Sequence, residues 1–357
     1  MSFRYSSKIL TTFLLFVLFS SVSTAQDSRF IQFYYAPLSV NPALTGVVNG
    51  QFRFGVNYRN LYSTILAKNA YKTFAVHLDA KYNVLRNDFI GLGVNVIRDE
   101  AGQANFTRTK ANLSASFQKY LGGTGRYSSG RQYLSGGFQF GLGQYGYQGS
   151  GLWFSQQFEY GTDFARINTS LPSGENLARE VTGLFFDFNA GLLWYAVFDR
   201  DKSLYFGGSI YHLPKPKISF LEVGQSRLNQ RLVLHAGGQL PVTDDISILP
   251  AVLFMSQGVA TSLSGGLNIR YSGREWREVA IRAGLWAHLS NQGKQLGMDA
   301  ITVSTILEFE RLKFGVSYDI TVSTLKQATN SRGAFEFSVI YTHPPRARRA
   351  RTVCPGF

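Results

Sequence analysis

The stretch "TGLFFDFNAGLLWYAVF", Thr182 to Phe198, has the apolar content of a membrane helix interrupted by Asp187 and Asn189. Its period, however, is two. Leu184, Phe186, Phe188, Ala190, Leu192, Trp194 and Ala196 take alternate positions, with Asp187, Asn189 and Gly191 between them. Alternate side chains of a strand point to opposite faces, so the stretch predicts one continuous apolar face and one that is polar or small at its centre. A helix would mix the two sets. A single strand of this kind suits a half-buried sheet in a soluble sandwich as well as a membrane wall, and the rest of the chain has to decide.

The chain has 357 residues and no Pro/Ser-rich linker, which reads as one large unit behind a leader. Arg4 and Lys8 precede an apolar run from Ile9 to Phe19, and small Ser23 and Ala25 precede Gln26. This is the layout of a secretory signal peptide over residues 1–25, cleaved after Ala25. The run is shorter than the roughly twenty residues a spanning helix needs, and no later segment supplies that length. Cys354 is the only cysteine, so no disulfide forms within the chain. The formal charge is +14, of which Arg4 and Lys8 leave with the leader. The other basic residues are scattered except near the C-terminus. Outer-membrane lipids with an anionic lipopolysaccharide leaflet, or an acidic partner, therefore fit better than nucleic acid.

The alternation recurs along the chain. Phe52, Phe54, Val56 and Tyr58 oppose Arg53, Gly55 and Asn57; Phe74, Val76, Leu78 and Ala80 oppose His77, Asp79 and Lys81. Further stretches lie near 89–99, 104–119, 131–147, 183–197, 203–213, 228–240, 246–256, 259–271, 278–289, 296–309, 311–321 and 332–342, which makes fourteen. An even number of amphipathic strands behind a signal peptide predicts an all-β fold, a closed antiparallel outer-membrane β-barrel of about 14 strands over residues 52–342. Its apolar face meets lipid, while His77, Asp79, Lys81, Asp187, Asn189 and Asp319 are predicted to face the lumen. Fourteen strands enclose more space than their own side chains fill, which leaves an aqueous passage or a plugged bore. Residues 26–51 are the candidate plug or docking segment. With both termini in the periplasm, the odd-numbered connections face outward and should be the longer set. The short third and the long fourth, "GGTGRYSSG", go against that rule.

Chemical motifs are sparse. "GLGQYG", Gly141 to Gly146, matches G-x-G-x-x-G but lies inside an alternating strand with no helix after it, so it reads as relief of crowding rather than a dinucleotide site. The five histidines show no metal-ligand spacing, and no cofactor is expected. His77 beside Asp79 comes nearest to a catalytic arrangement and reads as a solvated lumen network. The tail over residues 343–357, "PPRARRARTVCPGF" included, carries Arg346, Arg348, Arg349 and Arg351 with no acid. It is either a solvated end or a dock for an acidic periplasmic surface. Cys354 is a small hydrophobe, a free thiol or an intermolecular bridge.

"DSRFIQFYYAPLSVNPALTGVVNGQFRFGVNYRNLYSTI", from Asp27, resembles the opening of PorP/SprF-type membrane proteins of the Bacteroidota type IX secretion system. The family pattern "Q-D-x-x-F-x-Q-Y", then "P-x-x-x-N-P-A-x-x-G" and "Y-R-N-Q-W", falls on Asp27, Phe30, Gln32, Pro37, Asn41, Pro42, Ala43, Gly46, Tyr58, Arg59 and Asn60. Leu61 and Tyr62 depart from it. "GLGVNVIRDEAG", "FGVSYDITVSTLKQA" and the closing "CPGF", with Cys354, Pro355 and Phe357, are also similar to family landmarks, although Gly356 stands where a basic residue is common.

The resemblance implies an outer-membrane barrel that docks the periplasmic ring of lipoprotein and partner subunits. It also implies support for export or surface attachment of secreted proteins, through the C-terminal domain of an adhesin in gliding species. On this reading Pro37, Asn41, Pro42, Ala43 and Gly46 form an N-terminal partner or plug motif, and the tail a second partner site. The competing expectations are a passive pore for small solutes and a barrel hydrolase.

Overall fold

The computed structural model describes residues 27–85, 87–123, 130–149, 152–160, 165–174, 180–199, 202–220, 226–273, 279–292 and 295–344. Sixteen strands follow one another: β1 (Phe52–Leu61), β2 (Tyr71–Asn83), β3 (Phe89–Ala101), β4 (Phe106–Gly123), β5 (Arg131–Gly146), β6 (Phe158–Tyr160), β7 (Ala165–Ile167), β8 (Phe185–Asp199), β9 (Lys202–Tyr211), β10 (Arg231–Pro241), β11 (Ile246–Gln257), β12 (Ala260–Tyr271), β13 (Val279–Gln292), β14 (Gln295–Phe309), β15 (Leu312–Thr321) and β16 (Arg332–His343). Fourteen of them form one closed antiparallel barrel, and each corresponds to an alternating stretch of the sequence. β6 and β7 are a separate hairpin within the connection from β5 to β8, which pair directly with each other.

Closure is made by β1 against β16, in unbroken register from Phe52 opposite His343 to Leu61 opposite Ala334. No sheet edge is left, as a hydrocarbon surround requires. In β8, Phe186 and Leu192 are each 63% exposed on the outer face, while Asp187 and Asn189 are buried on the inner one. Outside, diagonal neighbours pack as aromatic pairs, Phe138 with Phe188 at 5.8 Å and Phe140 with Phe186 at 5.9 Å. Inside, the buried polar residues run strand by strand around the whole barrel.

The connections follow the outer-membrane pattern only in part. The longest, between β5 and β8, lies at the end of the barrel opposite Phe52 and His343, the end that faces outward in such barrels. On the same side only two residues separate β11 from β12 and β13 from β14, fewer than the rule for odd connections predicts.

Leu192 lies near the middle of β8 on the lipid side, and Leu192→Arg should cost about 2–4 kcal/mol of barrel stability. Leu192→Met should be close to neutral. Urea unfolding of the reconstituted protein checks both.

Candidate functional site

The bore is occupied by the chain's own N-terminal segment. From Phe30 to Val48 every residue except Ser39 is buried. Asp27 begins at the outward mouth, where its backbone N–H donates to Gln257 at the end of β11 (2.8 Å). The segment leaves at the opposite end, where the Gln51 N–H donates to the His343 carbonyl and the Gln51 carbonyl accepts from Lys81, both at 2.8 Å. The expectation that both termini lie in the periplasm is thus corrected at the N-terminal side: residue 52 is at that end, and Asp27 is at the other.

The path is made of three short 3-10 turns, Phe33–Tyr35, Pro37–Ser39 and Pro42–Leu44. Proline suits the first position of the second and third, since its missing N–H would have no partner there and its φ is preset. Asn41, held extended before Pro42, caps the third turn by accepting from the Ala43 N–H. Its amide nitrogen lies 2.9 Å from the Leu192 carbonyl, 3.3 Å from that of Gly208 and 3.0 Å from His235 Nε2.

A segment of irregular backbone inside a barrel needs partners for its carbonyls, and the wall's polar side chains supply them. Ser209 donates to Val40 and Ser135 to Ala43, each at 2.7 Å, and Ser116 to Thr45 at 2.6 Å. Gln139 and Tyr211 reach Leu38 at 3.2 and 3.3 Å. Glu336 accepts from the backbone N–H groups of Ile31 (2.6 Å) and Gln32 (2.8 Å). Close approach is possible because the wall is glycine at the contact points. A Cβ on Gly137 would strike Pro42 and Ala43, one on Gly191 Asn41, and one on Gly91 the Thr45 carbonyl. Aromatic packing fills the rest of this section of the bore, with Phe33 edge-on to Trp286 at 5.5 Å and Tyr34 5.7 Å from the same ring.

Of the residues predicted to face the lumen, Asp79 and Lys81 hold the segment directly. Asp79 accepts from Gly46 N–H at 2.7 Å while paired with Arg53 at 2.9 Å, and Lys81 donates to the Val48 carbonyl at 2.8 Å. The His77–Asp79 reading as a solvated network gives way to a buried one, at 3% and 1% exposure, and the two belong to different contacts. Asp187 and Asn189 act on His212, at 2.6 Å from its Nδ1 and 2.9 Å from its backbone N–H. Asp319 binds Thr302 and Arg59, and Arg59 in turn donates to the Arg29 carbonyl. Pro37, Asn41, Pro42, Ala43 and Gly46 all lie buried within the bore. Arg346, Arg348, Arg349, Arg351, Cys354, Pro355 and Phe357 lie outside the described residues, as do residues 1–26.

Sequence periodicity missed the densest cluster. Around the Asp27 carboxylate stand Arg108, His212 Nε2 at 2.8 Å, Arg231 at 3.2 Å and Lys110 at 3.5 Å. His212 has the wrong parity for the lumen, but its φ of 60° turns it inward just past the end of β9. Burial alone would raise the Asp27 carboxyl, yet the surrounding Arg108, Lys110, Arg231 and His212 more than offset that and hold it well below the usual carboxylate range. Beside this cluster a cavity of about 50 Å³ separates the segment from the wall. Among the described residues, no group of three or more His, Cys, Asp or Glu side chains is placed to hold a metal ion.

A family model for the type IX secretion system membrane protein PorP/SprF matches residues 22–341. No match was found among curated protein sequences. Similar solved structures include a TodX deltaS2S3 mutant monoaromatic hydrocarbon channel, with TM-score 0.48, 10% identity, and coverage of 86% of this chain and 93% of that one. A Pseudomonas aeruginosa FadL homologue gives TM-score 0.45 and 12% identity over 84% and 92% of the two chains. BamA from Haemophilus ducreyi lacking POTRA domains 1-3 gives 0.39 and 10% over 82% and 70%.

Asn41→Ala should cost about 1–3 kcal/mol, because it removes a fully buried amide that caps the third turn and donates to the Leu192 and Gly208 carbonyls. The barrel's unfolding midpoint measures the loss. For Asp27, a lowered folded-state pKa means that its contribution is fully present above the ordinary Asp range and is lost only as pH falls through the lowered value. The advantage of wild type over Asp27→Asn should therefore hold from neutral to mildly acid pH and shrink only in strong acid. Paired thermal melts across that range check the sign.

Proposed function

The chain belongs to the PorP/SprF family of type IX secretion system membrane proteins, and on that premise we propose that it works as a filled, non-enzymatic outer-membrane scaffold. At the end carrying residues 52 and 343 it docks the periplasmic ring of lipoprotein and partner subunits. At the outward mouth it supports export or surface attachment of a secreted protein, such as the C-terminal domain of a gliding adhesin. The single observation that carries this reading is the N-terminal segment buried across the bore from Phe30 to Val48. A filled cylinder offers two end surfaces and little route between them.

The motif residues Pro37, Asn41, Pro42, Ala43 and Gly46 serve partners in this reading by fixing the shape of the segment. The basic tail is the direct periplasmic contact, since Arg346, Arg348, Arg349 and Arg351 can each fork onto carboxylates. A passive pore was the alternative suggested by the polar lumen face. Against it stands the use of those groups, because Ser116, Ser135, Gln139 and Ser209 spend their hydrogen bonds on the segment's carbonyls. A hydrolase would draw on the chain Ser264–His288–Thr302–Asp319, whose members are hydrogen-bonded to one another and each at most 4% exposed. A nucleophile so placed meets no substrate.

In planar bilayers the purified protein should be nearly silent, and steady conductance in the wild type would favour the pore. Deleting the gene should reduce export or attachment of the surface adhesin, and unchanged adhesin would count against the scaffold. Replacing the four tail arginines with Ser should reduce co-purification of periplasmic subunits several-fold, and undiminished recovery would retire the tail as a dock.

A further inference from the structure

The cluster around Asp27 is built as a receptor rather than as a pair. Its donors come from three elements: Arg108 and Lys110 on β4, His212 after β9 and Arg231 on β10. Three of the four are oriented from behind by wall groups. Arg108 Nε and Nη2 lie 2.8 and 2.6 Å from Asp99, leaving Nη1 to point inward. His212 is fixed by Asp187 on its Nδ1 and by Asn189 on its backbone, leaving Nε2 free to face the bore. The Arg231 guanidinium lies 4.2 Å over the Tyr211 ring. These supports belong to the strands and the residue after β9, while the segment adds the Ser28 hydroxyl on Arg108 Nη2 (2.9 Å) and the Ser39 carbonyl on Arg231 Nη2 (3.1 Å).

The carboxylates of Asp27, Asp99 and Asp187 together do not saturate this set. Among the described residues, Lys110 Nζ makes only long contacts, 3.5 Å to Asp27 and 3.4 Å to His212 Nε2. Arg231 Nε is buried and has no hydrogen-bond partner among the described residues. The cavity of about 50 Å³ opens directly on Asp27, Arg108, Lys110, His212 and Arg231. The site also lies at the outward mouth, where β4 and β10 begin and β9 ends.

We infer that the outward mouth carries a preformed carboxylate-binding site, filled from within the chain by Asp27, whose external ligand is the carboxylate of an acidic peptide. Forked guanidinium donors match a planar carboxylate, and the enclosing wall makes the pairing strong only for a group that enters desolvated. An acidic peptide in trans competes with Asp27 and releases the start of the segment, Asp27 to Arg29, ahead of the buried Phe33–Tyr35 turn. The lower part, from Pro37 to Val48, stays anchored by its own carbonyl contacts. This goes beyond the scaffold reading, because it assigns a ligand class whether or not the protein serves secretion.

The test empties the site and refills it with formate. Asp27→Gly should lower the unfolding midpoint of the purified barrel, and formate should raise it back toward the wild-type value. Chloride or phosphate at equal ionic strength should not, and wild type should not respond. Equal effects of formate and chloride, or phosphate matching formate, overturn the assignment. Should Asp27→Gly fail to assemble, Ser28→Cys in a Cys354→Ser background gives a second readout. Labelling by a membrane-impermeant maleimide should rise several-fold with an Asp-rich peptide and stay flat with its Asn counterpart. Equal labelling with the two peptides overturns the proposal.

Discussion

Water is absent from the hydrocarbon layer, so every backbone N–H and C=O at that depth must find its partner inside the protein. For a sheet this means closure, and β1 pairing with β16 along its whole length provides it. Closure then creates a second demand. A bore of fourteen strands is too wide for wall side chains to fill. The chain fills it with backbone, and irregular backbone carries its own unpaired groups into the interior. The polar inner face answers that second demand. Ser116, Ser135 and Ser209 sit where three successive parts of the segment present carbonyls, and Glu336 where it presents two N–H groups.

Why polar residues at the lumen face were legible while their purpose was not follows from the ranges involved. Alternation is local: Phe186, Asp187, Phe188 and Asn189 state their faces within four residues. All fourteen barrel strands come from that one rule. What Asp187 does depends on His212, and what His212 does depends on Asp27, 185 residues away in sequence. No periodicity spans that distance. His212 was further hidden by its positive φ, which moves it to the lumen side against the parity of β9. The segment's turns were half legible, since Pro37, Asn41 and Pro42 announce fixed backbone but not which wall will receive it.

The segment divides into two parts held by different physics. Apart from the charged contacts of Asp79 with the Gly46 N–H, Arg231 with the Ser39 carbonyl and Arg53 with the Leu44 carbonyl, the segment from Pro37 to Gly46 is held by neutral hydrogen bonds to carbonyls and by backbone packed against glycine, with Asn41, Ala43 and Thr45 at 0% exposure. Such contacts are insensitive to salt and lose their strength only if water enters. From Asp27 to Gln32 the hold is largely by charge, through Asp27, Arg29 and Glu336, with Arg29 paired to a half-exposed Asp299 at 3.5 Å. Local opening in proteins concentrates where buried apolar contacts are few. The stretch from Asp27 to Arg29 is therefore the part that competing ions can reach, and the buried turns below it hold the plug in register while they do.

The direction of the segment also ties filling to closure. Gln51 bonds the last residue of β16 on one side and Lys81 of β2 on the other, so the root of the segment sits at the seam where the first and last strands meet. Asp27 meanwhile must reach Arg108, His212 and Arg231 at the far mouth, across the full height of the wall. A segment rooted at the seam cannot reach that position from outside a finished cylinder without passing through it. Contacts of such long sequence separation form late, because chain entropy is lost before they return any gain. The seam and the plug therefore depend on each other: β16 closes beside a root that Gln51 holds in place, and the wall that closes is cut by Gly91, Gly137 and Gly191 to fit the backbone it encloses.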